Sequence, residues 1–106
     1  MKTKDYRKGL LKRLKDPKFA VGYLTDVLTH ERPEAFLIAL KDLIDARQEN
    51  ISALAEQAGI TRQALYQALS EDGNPCFSTI TRILKCLNLR FTGLQIGTSD
   101  SEKEAA

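Results

Sequence analysis

The stretch 50–70, NISALAEQAGITRQALYQALS, constrains the fold more than any other part of this chain. It reads as two short helices joined by a tight turn. Leu54, Ala55 and Ala58 share one face of the first, and Leu65, Ala68 and Leu69 share one face of the second. Gly59 falls between them, where the chain needs a residue tolerant of positive φ. Ala55 is small enough for the second helix to cross closely above it. Asn50 and Thr61 are suited to cap the two helices. This is the layout of a helix-turn-helix, whose second helix can enter a DNA major groove.

The polar face of the second helix offers Thr61, Arg62, Gln63, Tyr66 and Gln67. Arginine pairs in two-pronged fashion with guanine, and glutamine with adenine. None of the five is acidic, so none repels phosphate. Two short helices packed around a glycine also occur in many all-α proteins that bind no DNA. Spacing leaves those readings even, and the uncharged-to-basic face favours DNA.

The rest of the chain supplies helices to pack against this pair. Residues 3–15 carry Leu10, Leu11 and Leu14 at amphipathic spacing, weakened by Gly9. Asp16-Pro17 starts a second helix, with aspartate as cap and proline in the first turn. Its apolar face is Phe19, Ala20, Tyr23, Leu24, Val27 and Leu28. A turn over 29–32 leads to Pro33, which opens a third helix with Phe36, Leu37, Leu40, Leu43 and Ile44 in periodic array. After Ser70, EDGNP is dense in turn formers. Ser78 is placed to cap a last helix with Ile80, Ile83, Leu84 and Leu87 inward, and Asn88 to end it.

Over 89–96, LRFTGLQI, alternation replaces the helical period. Leu89 and Phe91 lie in one phase, Leu94 and Ile96 in the other, and the slip at Gly93 reads as a β-bulge. A short C-terminal β-strand is expected here, and a lone strand needs a partner edge. The expected fold is thus all-α: one helical domain over 1–97 with extra N-terminal helices, this strand, and a polar tail over 98–106.

Composition excludes several classes. At 106 residues, 42% hydrophobic and 28% charged, the chain is one globular domain. It has no apolar run long enough to span a bilayer and no apolar signal-peptide core, so a cytoplasmic protein is expected. Two cysteines, Cys76 and Cys86, with one histidine, His30, do not make a zinc site; no metal or cofactor is expected. The thiols are expected as small buried or half-buried side chains. His30 beside Glu31 has no nucleophile to serve, and Asp42 and Asp45 read as a solvated acidic face, so an enzyme is not expected.

The net charge of +2 hides an asymmetry. Residues 1–18 hold eight Lys/Arg against two acids, and residues 19–60 three against seven. A basic arm, an acidic middle and a basic recognition region imply more than one partner surface. The alternative is an N-terminal helix with an ordinary solvated basic face.

The core from about 46 to 89 resembles the lambda-repressor-like (Xre-type) helix-turn-helix. The run GITRQALYQALSEDGNPCFSTITRILKCLNLR, with Leu65-Tyr66, Ala68-Leu69-Ser70, Gly73-Asn74-Pro75, Phe77 and Thr79, resembles the addiction-module antidote family. PEAFLIALKDLIDAR extends the likeness over most of 20–92; the first 15 residues and the tail carry no matching motif. The resemblance implies an antitoxin of a toxin–antitoxin pair. Such a protein binds double-stranded operator DNA, represses its own operon and neutralises a RelE/ParE-like toxin. The groove would then face Thr61, Arg62, Gln63, Tyr66 and Gln67, and Asn50 and Ser52 would lie near a phosphate. This chain has Ile51 where repressors of the fold often carry glutamine. Its 71–77 loop lacks their basic residues, leaving backbone amides and Asn74.

A helix entering the groove touches bases with its first turns, so Arg62, Gln63 and Gln67 are the expected base contacts. Asn50, Ser52, Thr61, Tyr66 and Asn74 are the expected backbone contacts. The orphan strand suggests a homodimer built on 89–96, by pairing with its copy or packing beside it; the rival is augmentation of a toxin sheet. Some of residues 1–45 is expected to form the toxin-binding surface, with the acidic stretch 19–60, including Asp42 and Asp45, the better electrostatic match for a basic toxin; the alternative is that these helices only complete the core. The competing functions are a stand-alone prophage-type regulator that binds only DNA, and an interaction module that has lost DNA binding.

Overall fold

The computed structural model describes residues 4–92. Six helices follow one another: α1 (Lys4–Arg13), α2 (Pro17–His30), α3 (Pro33–Arg47), α4 (Ile51–Ala58), α5 (Arg62–Ala68) and α6 (Phe77–Cys86). Their boundaries follow local chemistry. Asp16 caps α2 by accepting from the Lys18 N–H at 3.0 Å, with Pro17 in the first turn. Gly9 lies inside α1 without breaking it. The helices α3, α4 and α6 are followed by left-handed residues, Gln48 (φ 55°), Gly59 (φ 76°) and Asn88 (φ 62°). After each, the next N–H turns back to a helix carbonyl: Glu49 to Ile44, Ile60 to Ala55, and Leu89 to Leu84 at 2.8 Å.

Helix α3 is the spine. It buries Phe36, Leu37, Ala39, Leu40, Leu43, Ile44 and Ala46, with Leu40 and Leu43 wholly inaccessible. Helices α1 and α2 lie along it, contributing Leu10, Leu14, Ala20, Leu24 and Val27. Helix α6 packs on α4 through Ile83, Leu84 and Leu87. Each fully buried leucine or isoleucine contributes about 1.5–3 kcal/mol against exposure. A hydrogen bond from Arg47 Nη1 to the Leu87 carbonyl, 2.6 Å, ties the end of α3 to the end of α6. No helix of the described residues is long and apolar enough to cross a membrane.

Three expectations are corrected. The C-terminal β-strand is absent: among the described residues no strand forms, and 89–92 is irregular. The segment is held by side chains instead of backbone pairing. Leu89 packs against the core and the Phe91 ring stacks on Phe77 at 5.8 Å. A strand needs a partner edge, and an all-helical surround supplies none. Gly93, Leu94 and Ile96, and the tail over 98–106, lie outside the described residues.

The cap of α6 is Cys76, not Ser78. The Cys76 carbonyl already accepts the Ile80 N–H at 3.1 Å, so the first helical bond closes earlier than expected. Cys76 is accordingly exposed, while Cys86 is half-buried.

Asp42 and Asp45 are not a solvated face. Asp42 is 4% exposed. Arg7 of α1 donates to Asp42 Oδ1 at 3.0 Å and to Asp45 Oδ2 at 2.8 Å. Lys41 donates to both Asp45 oxygens, at 3.0 and 2.9 Å. The partner that buries Asp42 is 35 residues away in sequence, beyond the reach of helical periodicity.

Candidate nucleic-acid interface

Helix α5 stands on the protein surface with only one side packed. Leu65, Ala68 and the following Leu69 are buried; Thr61, Arg62, Gln63, Tyr66 and Gln67 are exposed. The 3.6-residue period produces this split, because residues three and four apart stay on one side. Thr61 Oγ1 accepts the Ala64 N–H at 2.9 Å, fixing the start of the helix. Its hydroxyl proton can still be donated. Asn50 does the same for α4, accepting from Ala53 at 3.0 Å.

Between the helices, Gly59 takes the left-handed conformation, and Arg82 of α6 would lie 3.7 Å from a Cβ added there. The far end of α5 is set by Gly73. A Cβ there would lie 2.3 Å from the Ala68 carbonyl oxygen and 2.7 Å from that of Gln67. The loop therefore touches the last turn of α5 through backbone alone, a closeness only glycine permits.

The exposed face of α5 is cationic at one edge. The Arg62 guanidinium is 6.0 Å from the Tyr66 ring centre, and the Lys41 ammonium reaches over the same ring at 5.9 Å. Both lie at the distance where a cation is drawn to an aromatic face. Tyr66 is 44% exposed and so presents its ring to the surface. No carboxylate belongs to α5, and Glu71 and Asp72 come only after it. The arrangement sets exposed hydrogen-bond donors and acceptors beside positive charge.

The expected residues divide into groups. Arg62, Gln63, Tyr66 and Gln67 share α5, and Thr61 caps it. Asn50 and Ser52 sit exposed at the start of α4. Asn74 departs: it is exposed, but it lines a groove with Leu28, Phe36 and Phe77. Lys41, over the Tyr66 ring, was missed by sequence reasoning. It comes from α3, and no pattern within residues 50–70 could indicate it.

An exposed apolar patch lies elsewhere on the molecule. Phe77 is 68% exposed, Val21 51% and Leu28 45%. Phe91, stacked on Phe77, lines grooves with Val21 and Leu28. A patch of large side chains of this kind marks an interaction site more often than chance exposure does. Among the described residues no group of three His, Cys, Asp or Glu side chains could hold a metal ion.

No solved structure matches the chain. An uncharacterized protein of Haemophilus influenzae is 46% identical over 69 residues, covering 65% of this chain and 69% of its own length. The family model described as "Probable addiction module antidote protein" matches residues 7–95, most of the chain and all of the helical scaffold from Arg7 onward. The chain belongs to the family of probable addiction module antidote proteins.

Proposed function

We propose that the protein is an antitoxin that binds operator DNA through a lambda-repressor-like α4–α5 pair, represses its own operon, and neutralises a cognate RelE/ParE-like toxin. The observation that carries the DNA half is the exposed, acid-free face of α5, with Arg62, Gln63 and Gln67 outward and Tyr66 beside two cations. Family membership carries the toxin half and favours a regulatory protein over a catalyst. Arg62, Gln63 and Gln67 read base edges; Asn50, Ser52, Thr61 and Tyr66 meet the backbone. Asn74 is the weakest of these assignments because of where it sits.

A homodimer suits this reading, since two-fold symmetry presents two recognition helices to half-sites about one DNA turn apart, ~34 Å. The Phe77–Phe91 patch is the surface for it. For the toxin, Asp26, Glu31, Glu34, Glu71 and Asp72 border two grooves that share Ala35 and Ile38. Their charge complements a basic partner.

The test is binding to the gene's own upstream DNA against scrambled DNA at one fixed salt concentration. Arg62→Ala should weaken operator binding by ~1–3 kcal/mol and relax the choice of base at one half-site position. Equal loss on both DNAs would make Arg62 a backbone contact. Co-purification with the product of the neighbouring reading frame separates an antitoxin from a regulator that binds DNA alone.

A further inference from the structure

Helix α1 and the residue pair after it carry Lys4, Arg7, Lys8, Lys12, Arg13 and Lys15, against one acid, Asp5. Packing accounts for Arg7 and Arg13 but not for the four lysines. Leu10 and Leu14 make the burial, while Lys4, Lys8, Lys12 and Lys15 are exposed.

Arg7 decides where the helix lies. It pairs with Asp42 at 3.0 Å and Asp45 at 2.8 Å on α3. Asp45 also holds Lys41 at 2.9 Å, and Lys41 reaches over Tyr66, which Arg62 approaches too. An unbroken chain of contacts thus runs from α1 across α3 to the exposed face of α5.

The turn of α1 is fixed as well. Tyr6 lines a groove with Tyr23 and Val27, and Arg13 lies 5.3 Å over the Phe19 ring, so that flank looks toward α2. Within α1, at about 100° per residue, Lys4 and Lys8 project from the opposite flank, away from α2, and Lys15 is exposed in the turn that follows the helix.

We propose that α1 is a second DNA-contacting element: Arg7 docks it to α3, and Lys4, Lys8 and Lys15 meet duplex phosphates flanking the groove that α5 enters. This rests on the reading of the chain as a DNA-binding protein. The contacts are to backbone charge, so they add affinity without adding choice of sequence. Lys41 is a positioning residue that links the docked helix to Tyr66.

The test uses the full chain with Lys4→Gln, Lys8→Gln and Lys15→Gln combined. Binding to operator and to scrambled duplex is followed by anisotropy from about 50 to 200 mM salt. Loss of three phosphate contacts flattens the slope of log K against log salt by about 2.7, so the salt-induced loss of affinity shrinks about 40-fold. Both duplexes change alike, their affinity ratio holds, and the matching Lys→Arg triple keeps the parent slope. A parent slope in the Gln triple overturns the proposal while leaving the α5 reading intact. So does a Gln triple that keeps its slope but no longer captures the neighbouring gene's product, which assigns α1 to a protein partner. Absence of salt-dependent binding by the unmodified protein overturns both readings.

Discussion

Arg7→Ala is the most informative single change for the scaffold. Its two carboxylate partners differ. Asp42 has a side chain 5% exposed, whereas Asp45 is 30% exposed and keeps Lys41. Removing one partner of a fully buried ion pair costs ~3–5 kcal/mol, whereas an exposed pair is worth ~0–1 kcal/mol. Arg7 itself is 43% exposed, so solvent screens part of the interaction. The cost should fall between those limits, at about 2–3 kcal/mol, which for a domain this size lowers Tm by roughly 10–20 °C. The assay is urea and thermal unfolding by circular dichroism, with Asp42→Ala and the double variant completing a cycle. A coupling of about 1–2 kcal/mol is expected for a directly bonded pair. Arg7→Met separates charge from the packing of the aliphatic stem. If Arg7→Ala unfolds within ~0.5 kcal/mol of the parent, or the two changes simply add, the pair does not hold α1 to α3. The hydrogen bond to Asp45 is the largest cause holding the Arg7 guanidinium above its usual range. A group raised on folding stabilises below its unfolded pKa and ceases to only as pH climbs through the folded value. That window is strongly alkaline, so ionisation of Arg7 should add no pH dependence near neutrality.

Two further outcomes are expected. Gly73→Ala places a methyl 2.3 Å from the Ala68 carbonyl oxygen; it should cost ~1–3 kcal/mol in urea unfolding and weaken operator binding by moving the end of α5, and parent values for both would show that the loop gives way freely. Phe77→Glu, at a side chain already 68% exposed, should keep the helical circular-dichroism signal but convert a dimer to a monomer in light scattering; a persistent dimer would place the interface elsewhere.

The sequence by itself determined the helices and the exposed face of α5. Asn50, Gly59 and Thr61 are local devices: a cap, a left-handed turn and a second cap, each made within a few residues. Such interactions are visible at short range, and so was the exposed side of α5, which follows from its period. Asn88 as the stop of α6 was legible for the same reason, being a residue that tolerates positive φ. The family resemblance rested on residues 59–90, with 33–47 beside them. Tertiary structure decided the rest. A strand over 89–96 could be judged only by finding its partner edge, and the described part packs as side chains against helices. The acid pair Asp42 and Asp45 looked solvated because its spacing on α3 suits an outer face. Only the laying of α1 across α3 brought Arg7 to it, burying one carboxylate and half-burying the other. Lys41 entered the candidate interface by the same route. Charge on a helix is read from sequence, but whether it meets water, a counter-charge or a phosphate depends on which other helix lies beside it.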